Sequence, residues 1–218
     1  MTPNAPAADR NGGTVKLTQG MIALFAFCCG AIVANLYYAQ PITELIAPDI
    51  HMSSGTASLI VSLTQIGYAF GLFFLVPLGD LLENRKLMIT TAIVSIFSLA
   101  LAAVTHQPNA FLAVSLLVGF SSVAVQILIP LAAHLAPDES RGRVVGNIMS
   151  GLLLGILLSR PISSVVAGHF GWRAVFGSAA VLMAIVTAVL ALTIPRRQPS
   201  HQATYFQLIH SLGELVVT

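Results

Sequence analysis

In 218 residues the chain carries only 10 Lys and Arg and 8 Asp and Glu, against a hydrophobic content of 56%. Charge this sparse cannot cover a soluble globule, and a formal net charge of +2, spread as scattered pairs of bases, offers no track for a nucleic acid. A mean hydropathy of +0.87 and several long uncharged runs identify an all-α, multi-pass membrane protein with one bilayer-embedded domain.

Residues 1–16, MTPNAPAADRNGGTVK, are rich in Pro, Gly, Asn and small residues and are expected to form a disordered tail. A transmembrane domain is expected over 17–195, with 196–218 opening a loop. Charged and turn-forming residues cut the domain into six apolar segments: 18–44, 54–79, 87–104, 110–136, 144–169 and 174–194. The first is uncharged from Leu17 to Thr43, longer than the roughly 7 to 15 residue core of a signal peptide, so it reads as a retained helix. Its adjacent Cys28 and Cys29 point about 100° apart on a helix and carry no redox or zinc spacing.

Orientation follows from the bases. Arg10, Lys16, Arg85, Lys86, Arg141, Arg143, Arg196 and Arg197 fall on one side of the six crossings, Arg173 alone on the other, and Arg160 within the fifth segment. The excess of Lys and Arg in cytoplasmic loops predicts that both termini are cytoplasmic, in a cytoplasmic (inner) membrane. In 196–218, Tyr205, Leu208, Ile209, Leu212 and Leu215 recur at helix-like intervals, which suits either a surface helix or a solvated linker.

The break GDLLENRK between the second and third segments gathers Asp80, Glu83, Arg85 and Lys86. A hydrated hairpin accounts for these charges. Their spacing, with Asp80 followed five and six residues later by Arg85 and Lys86, resembles the G-x-x-x-[DE]-[RK]-x-G-x-[RK]-[RK] loop of the major facilitator superfamily. Val76, Leu81 and Glu83 depart from that pattern. ANLYYAQPI in the first segment, SGLLLGILLSRP in the fifth and GWRAVF opening the sixth are similar to a bacterial drug and metabolite efflux branch of the same superfamily. The resemblance implies the amino-terminal six-helix half of a secondary transporter, with Asp80, Arg85 and Lys86 as a conformational latch facing the opposite half. It also implies a small-molecule solute and protons as partners, and helices one and four lining the path. Many proton-coupled relatives carry an Arg before the glycine corresponding to Gly119, and this chain does not.

A solute crossing a bilayer needs replacement hydrogen bonds at depth. Asn35, Tyr38, Gln40, Gln65 and Gln126 are the candidates, with Ser58, Ser62, Tyr68 and Ser122 close by in sequence. Interhelical hydrogen bonding explains the same residues. Arg160 stands about 24 Å along the fifth helix from Val144 and is followed by Pro161. It either snorkels to the outer surface or pairs with Glu44, the acid inside the first segment. Pro41, Pro161, Gly151 and Gly155 suit bending and close packing. The histidines lack metal-ligand spacing, and no P-loop or nucleophile motif appears, so the expectation is a non-enzyme without cofactor or metal. Drug-like amphiphiles and sugars both suit a cavity of Asn, Gln and Tyr. Because facilitator-type transporters usually have two six-helix halves, a missing carboxyl-terminal half or a second copy is needed to complete the path. A non-transporting adaptor or an inactive fragment is the alternative.

Overall fold

The structure, a computed structural model, describes residues 18–194 apart from the side chains of Ser54 and Asp80. The expected tail over 1–16 and the loop over 196–218 lie outside the described residues. Among those described, the secondary structure is entirely helical.

Helix α1 (Gln19–Ala34) opens under Thr18, whose Oγ1 accepts the Met21 N–H at 3.3 Å. Its 16 residues rise about 24 Å, short of the ~30 Å hydrocarbon core. The expected continuous helix to residue 44 is therefore corrected. The N–H groups of Asn35, Leu36 and Tyr37 bond to Ile32, Val33 and Ala34, one residue closer than an α-helix allows. A 3₁₀ turn (Gln40–Ile42) containing Pro41 and a short helix α2 (Thr43–Asp49) complete the crossing.

Helix α3 (Ser54–Leu75) is capped by Ser53 and runs into a 3₁₀ turn (Pro77–Asp80). Helix α4 (Asn84–Val104) follows. The fourth crossing is two helices, α5 (Pro108–Ser121) and α6 (Ala124–Leu135), where one was expected. Both Ser121 and Ser122 hydroxyls donate to the Val118 carbonyl, at 3.2 and 2.7 Å. In a regular helix that carbonyl receives the Ser122 N–H, which here turns to Gly119 instead. The fifth and sixth crossings are α7 (Arg141–Phe170) and α8 (Trp172–Thr193). They are joined by Gly171, whose φ of 82° is open to glycine at little steric cost.

Three helix pairs dominate the packing: α3 on α5, α1 on α7 and α4 on α8. Small residues set two of these approaches. A Cβ on Gly30 would lie 2.6 Å from the Gly151 carbonyl oxygen, and one on Gly119 would collide with the Thr64 carbonyl. Backbones this close gain dispersion contacts that larger residues would prevent. Phe25, Ile32, Met88, Leu99, Phe111 and Leu128 are sealed between the helices. Coverage is uneven. The apolar spans of α3 and α7 are 22% buried, against 61% for the α5–α6 crossing, so α3 and α7 present the widest uncovered faces.

Candidate functional site

Two polar contacts between helices, one reaching α7 and the other α6, make up a polar belt. On α7 the exposed guanidinium of Arg160 stands 5.7 Å from the centre of the Tyr37 ring, within cation–π range. Tyr37 lies in the unwound turn after α1. The Tyr68 hydroxyl accepts a 2.9 Å hydrogen bond from Gln126 Nε2 on α6. Tyr37, Tyr68 and Gln126 are all half-buried. The breaks at Asn35–Ala39 and Ser122–Val123 fall beside this belt in sequence, and irregular backbone at membrane depth is tolerated where it is buried in protein or borders a cavity.

Arg160 and Glu44 are not within ion-pair distance among the described residues. Glu44 is exposed in the first turn of α2, where the positive end of the helix favours an acid. Arg160 lies ten residues, about 15 Å, before the end of α7, whose 30 residues span about 45 Å and overreach the ~30 Å hydrocarbon core.

The other candidates are dispersed. Asn35 is 3% exposed, donates to Ser95 Oγ on α4 at 3.3 Å, and leaves its Oδ1 without a partner. It ties α1 to α4 inside the bundle. Gln40 is half-buried in its 3₁₀ turn, and Gln65 is half-buried one turn before Tyr68. Ser58 and Ser62 hydroxyls bond back to their own helix. Tyr38 points elsewhere, into a groove of about 510 Å³ between α1 and α7 that Leu182 of α8 also borders. Ala, Gly and Leu dominate its lining, with Asn147 and Ser159 among the polar exceptions. Leu158 and Ile162 line the groove, and Arg160, two residues from each, points about 200° away around α7. The groove and the belt thus occupy opposite flanks of one helix.

At the basic end of the bundle, Arg85 Nη2 donates to the Ala191 carbonyl in the last turn of α8. A cation there meets the negative end of the helix and clamps α4 to α8. Lys86 is exposed and stands 3.6 Å from Glu83. Asp80 closes the 3₁₀ turn, with its side chain outside the description.

The opposite end holds a cluster that the sequence left as a lone base. Arg173 is ion-paired to Asp49, donates to the Thr105 carbonyl at 3.3 Å and to His106 Nδ1 at 2.9 Å, and stacks 4.2 Å from the Trp172 ring centre. A guanidinium has only donors, so His106 Nδ1 is the acceptor. Trp172 Nε1 also donates to Asp49, at 3.0 Å. These hydrogen bonds, from Arg173 first and Trp172 second, hold the Asp49 carboxyl below its ordinary pKa. GWR therefore works as a clasp over the loops preceding α3 and α5. Its partners lie 67 to 124 residues away, a separation no local pattern signals.

Six apolar crossings, the first and fourth of them broken, make a multi-pass helical membrane fold. Residues 21–215 match the family model for the Major Facilitator Superfamily, and the chain belongs to that family. It is 40% identical over 203 residues to the putative uncharacterized transporter YgaY of Escherichia coli (strain K12), covering 93% of this chain and 52% of YgaY. It is 22% identical to the purine ribonucleoside efflux pump NepI of Salmonella paratyphi A, covering 98% of this chain and 55% of NepI. The solved proton:xylose symporter XylE shares the fold at a TM-score of 0.66 and 17% identity, covering 80% of this chain and 44% of XylE. The chain spans about half the length of the curated relatives it matches.

Proposed function

We propose that this chain forms one six-helix half of a secondary transporter that exports a small solute in exchange for protons, with both termini in the cytoplasm. The polar contacts of Arg160 with Tyr37 and of Gln126 with Tyr68 carry the reading. An exposed guanidinium within an apolar span costs a static bundle insertion energy, whereas a solute path needs hydrogen-bonding groups there. A second six-helix unit, the carboxyl-terminal half or another copy, covers α3 and α7 and closes the path. Rocking of the two units against each other then exposes the belt to either side in turn.

In this reading Asp80 is the latch toward the second unit. Arg85 anchors the latch loop from within, through the Ala191 carbonyl. Lys86, largely exposed, faces solvent or lipid headgroups. With no P-loop in the sequence, the energy comes from an ion gradient. Export is favoured by the likeness to NepI, whose name gives purine ribonucleosides as its cargo.

The test uses inverted membrane vesicles containing the chain, energised to build an inward-acid gradient that a quenched amine dye reports. Addition of a purine ribonucleoside should dissipate part of the gradient, and an Asp80→Asn variant should lose most of that response. An unchanged gradient across nucleosides, amphiphiles and sugars, in vesicles that hold the chain together with its second six-helix unit, would remove the exchange reading.

A further inference from the structure

We propose that the groove between α1 and α7 binds an uncharged, largely apolar small molecule carrying a hydrogen-bond acceptor, with the Tyr38 hydroxyl as its anchor. The inference goes beyond the transport reading, because the groove lies on the flank of α7 away from Arg160 and the binding is a property of this chain alone.

Shape sets the first limit. At about 510 Å³ the groove falls within the roughly 300 to 1,000 Å³ of small-molecule sites. Its walls run from Ala23 to Tyr38 on α1 and from Asn147 to Ile162 on α7, a length of about 22 Å along α7. That volume over that length is a slot about 5 Å across, which takes a flat ring or a carbon chain and is too narrow for an α-helix about 10 to 12 Å thick. The slot follows from the sequence. Gly30 against Gly151 and Gly155 brings the two backbones together, and Ala31 and Ala34 keep the α1 wall low. The exposed Phe27, Leu154 and Leu158 rise beside it as apolar rims.

Polarity sets the second limit. No charged side chain borders the groove, so an ion entering it would lose hydration with nothing to pair it. Two of the hydroxyls that border it are committed, Ser150 donating to the Gly146 carbonyl at 2.9 Å and Ser159 to the Ile156 carbonyl at 2.8 Å. Tyr38 differs. Its side chain is 8% exposed, and its hydroxyl enters none of the hydrogen bonds among the described residues. The sealed, unpaired side-chain atoms among those residues belong to Asn35, Asn84, Arg85 and Arg173, so the exposure that Tyr38 keeps includes its hydroxyl. A phenol with an apolar body in a groove and an unmet donor at its tip is answered by a carbonyl or ether oxygen on an otherwise apolar ligand. A pure hydrocarbon leaves the donor unmet, and a sugar brings more hydroxyls than the Tyr38 end can satisfy.

The experiment follows thermal unfolding of the full chain in an uncharged detergent with three probes of one shape: 2-acetylnaphthalene, 2-ethylnaphthalene, which lacks the acceptor, and 2-naphthoate, which carries a charge. The acetyl compound should raise the unfolding temperature with increasing concentration, the ethyl compound should need at least tenfold more for the same rise, and naphthoate should give none. Tyr38→Phe keeps the ring and should bring the acetyl response down to the ethyl one while leaving the ethyl response unchanged. Should Tyr38→Phe fail to fold, the contrast between acetyl and ethyl in the unaltered chain still decides. Equal responses to those two would mean that the groove takes hydrocarbon alone, and would overturn the proposal. So would an acetyl response intact in Tyr38→Phe, a naphthoate response matching the acetyl one, or no response to any probe. Because the readout is binding in detergent, a failure of transport in vesicles leaves this inference standing, and a failure here leaves the transport reading untouched.

Discussion

The clasp around Asp49 shows how much structure two side chains can organise. Its carboxylate receives Arg173 and the Trp172 indole N–H, and the same Arg173 reaches Thr105 and His106. With its folded pKa depressed, Asp49 contributes stability that is complete above the ordinary carboxylate value of about 3.9 and is lost as pH falls through the lower folded value. Asp49→Asn should therefore unfold at lower temperature than the unaltered chain at pH 7, and the gap should close as both are taken below about pH 4. Trp172 is the single tryptophan, so its fluorescence during heating reads the clasp directly. A gap that persists unchanged into acid would mean that the hydrogen bonds, and not the charge, are what Asp49 contributes.

Between elements, the contacts that matter are close backbones and capped helix ends. Gly119→Ala forces a methyl group against the Thr64 carbonyl and should cost about 1 to 3 kcal/mol by overpacking. Gly168→Ala, where a Cβ meets nothing within 4 Å, should be neutral or stabilising by up to about 1 kcal/mol. The pair separates a packing requirement from a general effect of glycine in helices, and thermal unfolding in detergent measures both. Arg85→Gln removes a charged hydrogen bond to the end of α8 and should cost about 1.5 to 3 kcal/mol in the same assay, with Arg85→Lys intermediate. The element boundaries were largely legible in the sequence, since charge and turn residues mark where helices must leave the bilayer. Segments 87–104 and 174–194 became Asn84–Val104 and Trp172–Thr193. The breaks inside segments one and four were not legible. They depend on which carbonyl a serine hydroxyl captures and on three tightened bonds after Ala34, neither of which alters hydropathy. The same tightening explains why Tyr38 drew attention when Tyr37 meets Arg160: past Ala34 the 100° step that assigns a face to each residue no longer holds.

For the molecule as a whole, the question is which of its apolar faces meets lipid and which meets protein. Apolar exposure alone does not answer it, because lipid tails satisfy leucine as well as a partner helix does. Phe97 on α4 and Leu157 on α7 are equally bare, at 69% and 67% exposed. Polarity breaks the tie. The face of α7 that carries Leu157 also carries Arg160, whose neighbours form the belt, and a charged group at depth belongs against protein or water. α4, by contrast, turns its polar Thr91, Ser95 and Ser98 inward. Cysteine placed at these two positions makes the distinction measurable, since the native Cys28 and Cys29 are buried. If a second copy completes the path, mild oxidation of membranes should join Leu157→Cys chains into a species of twice the mass and leave Phe97→Cys chains single. If a different six-helix unit completes it, Leu157→Cys should become resistant to a lipid-soluble maleimide when that unit is co-expressed, while Phe97→Cys keeps reacting. Equal behaviour at the two positions in both assays would mean that α7 faces lipid, and the belt would then need a different explanation from a path between halves.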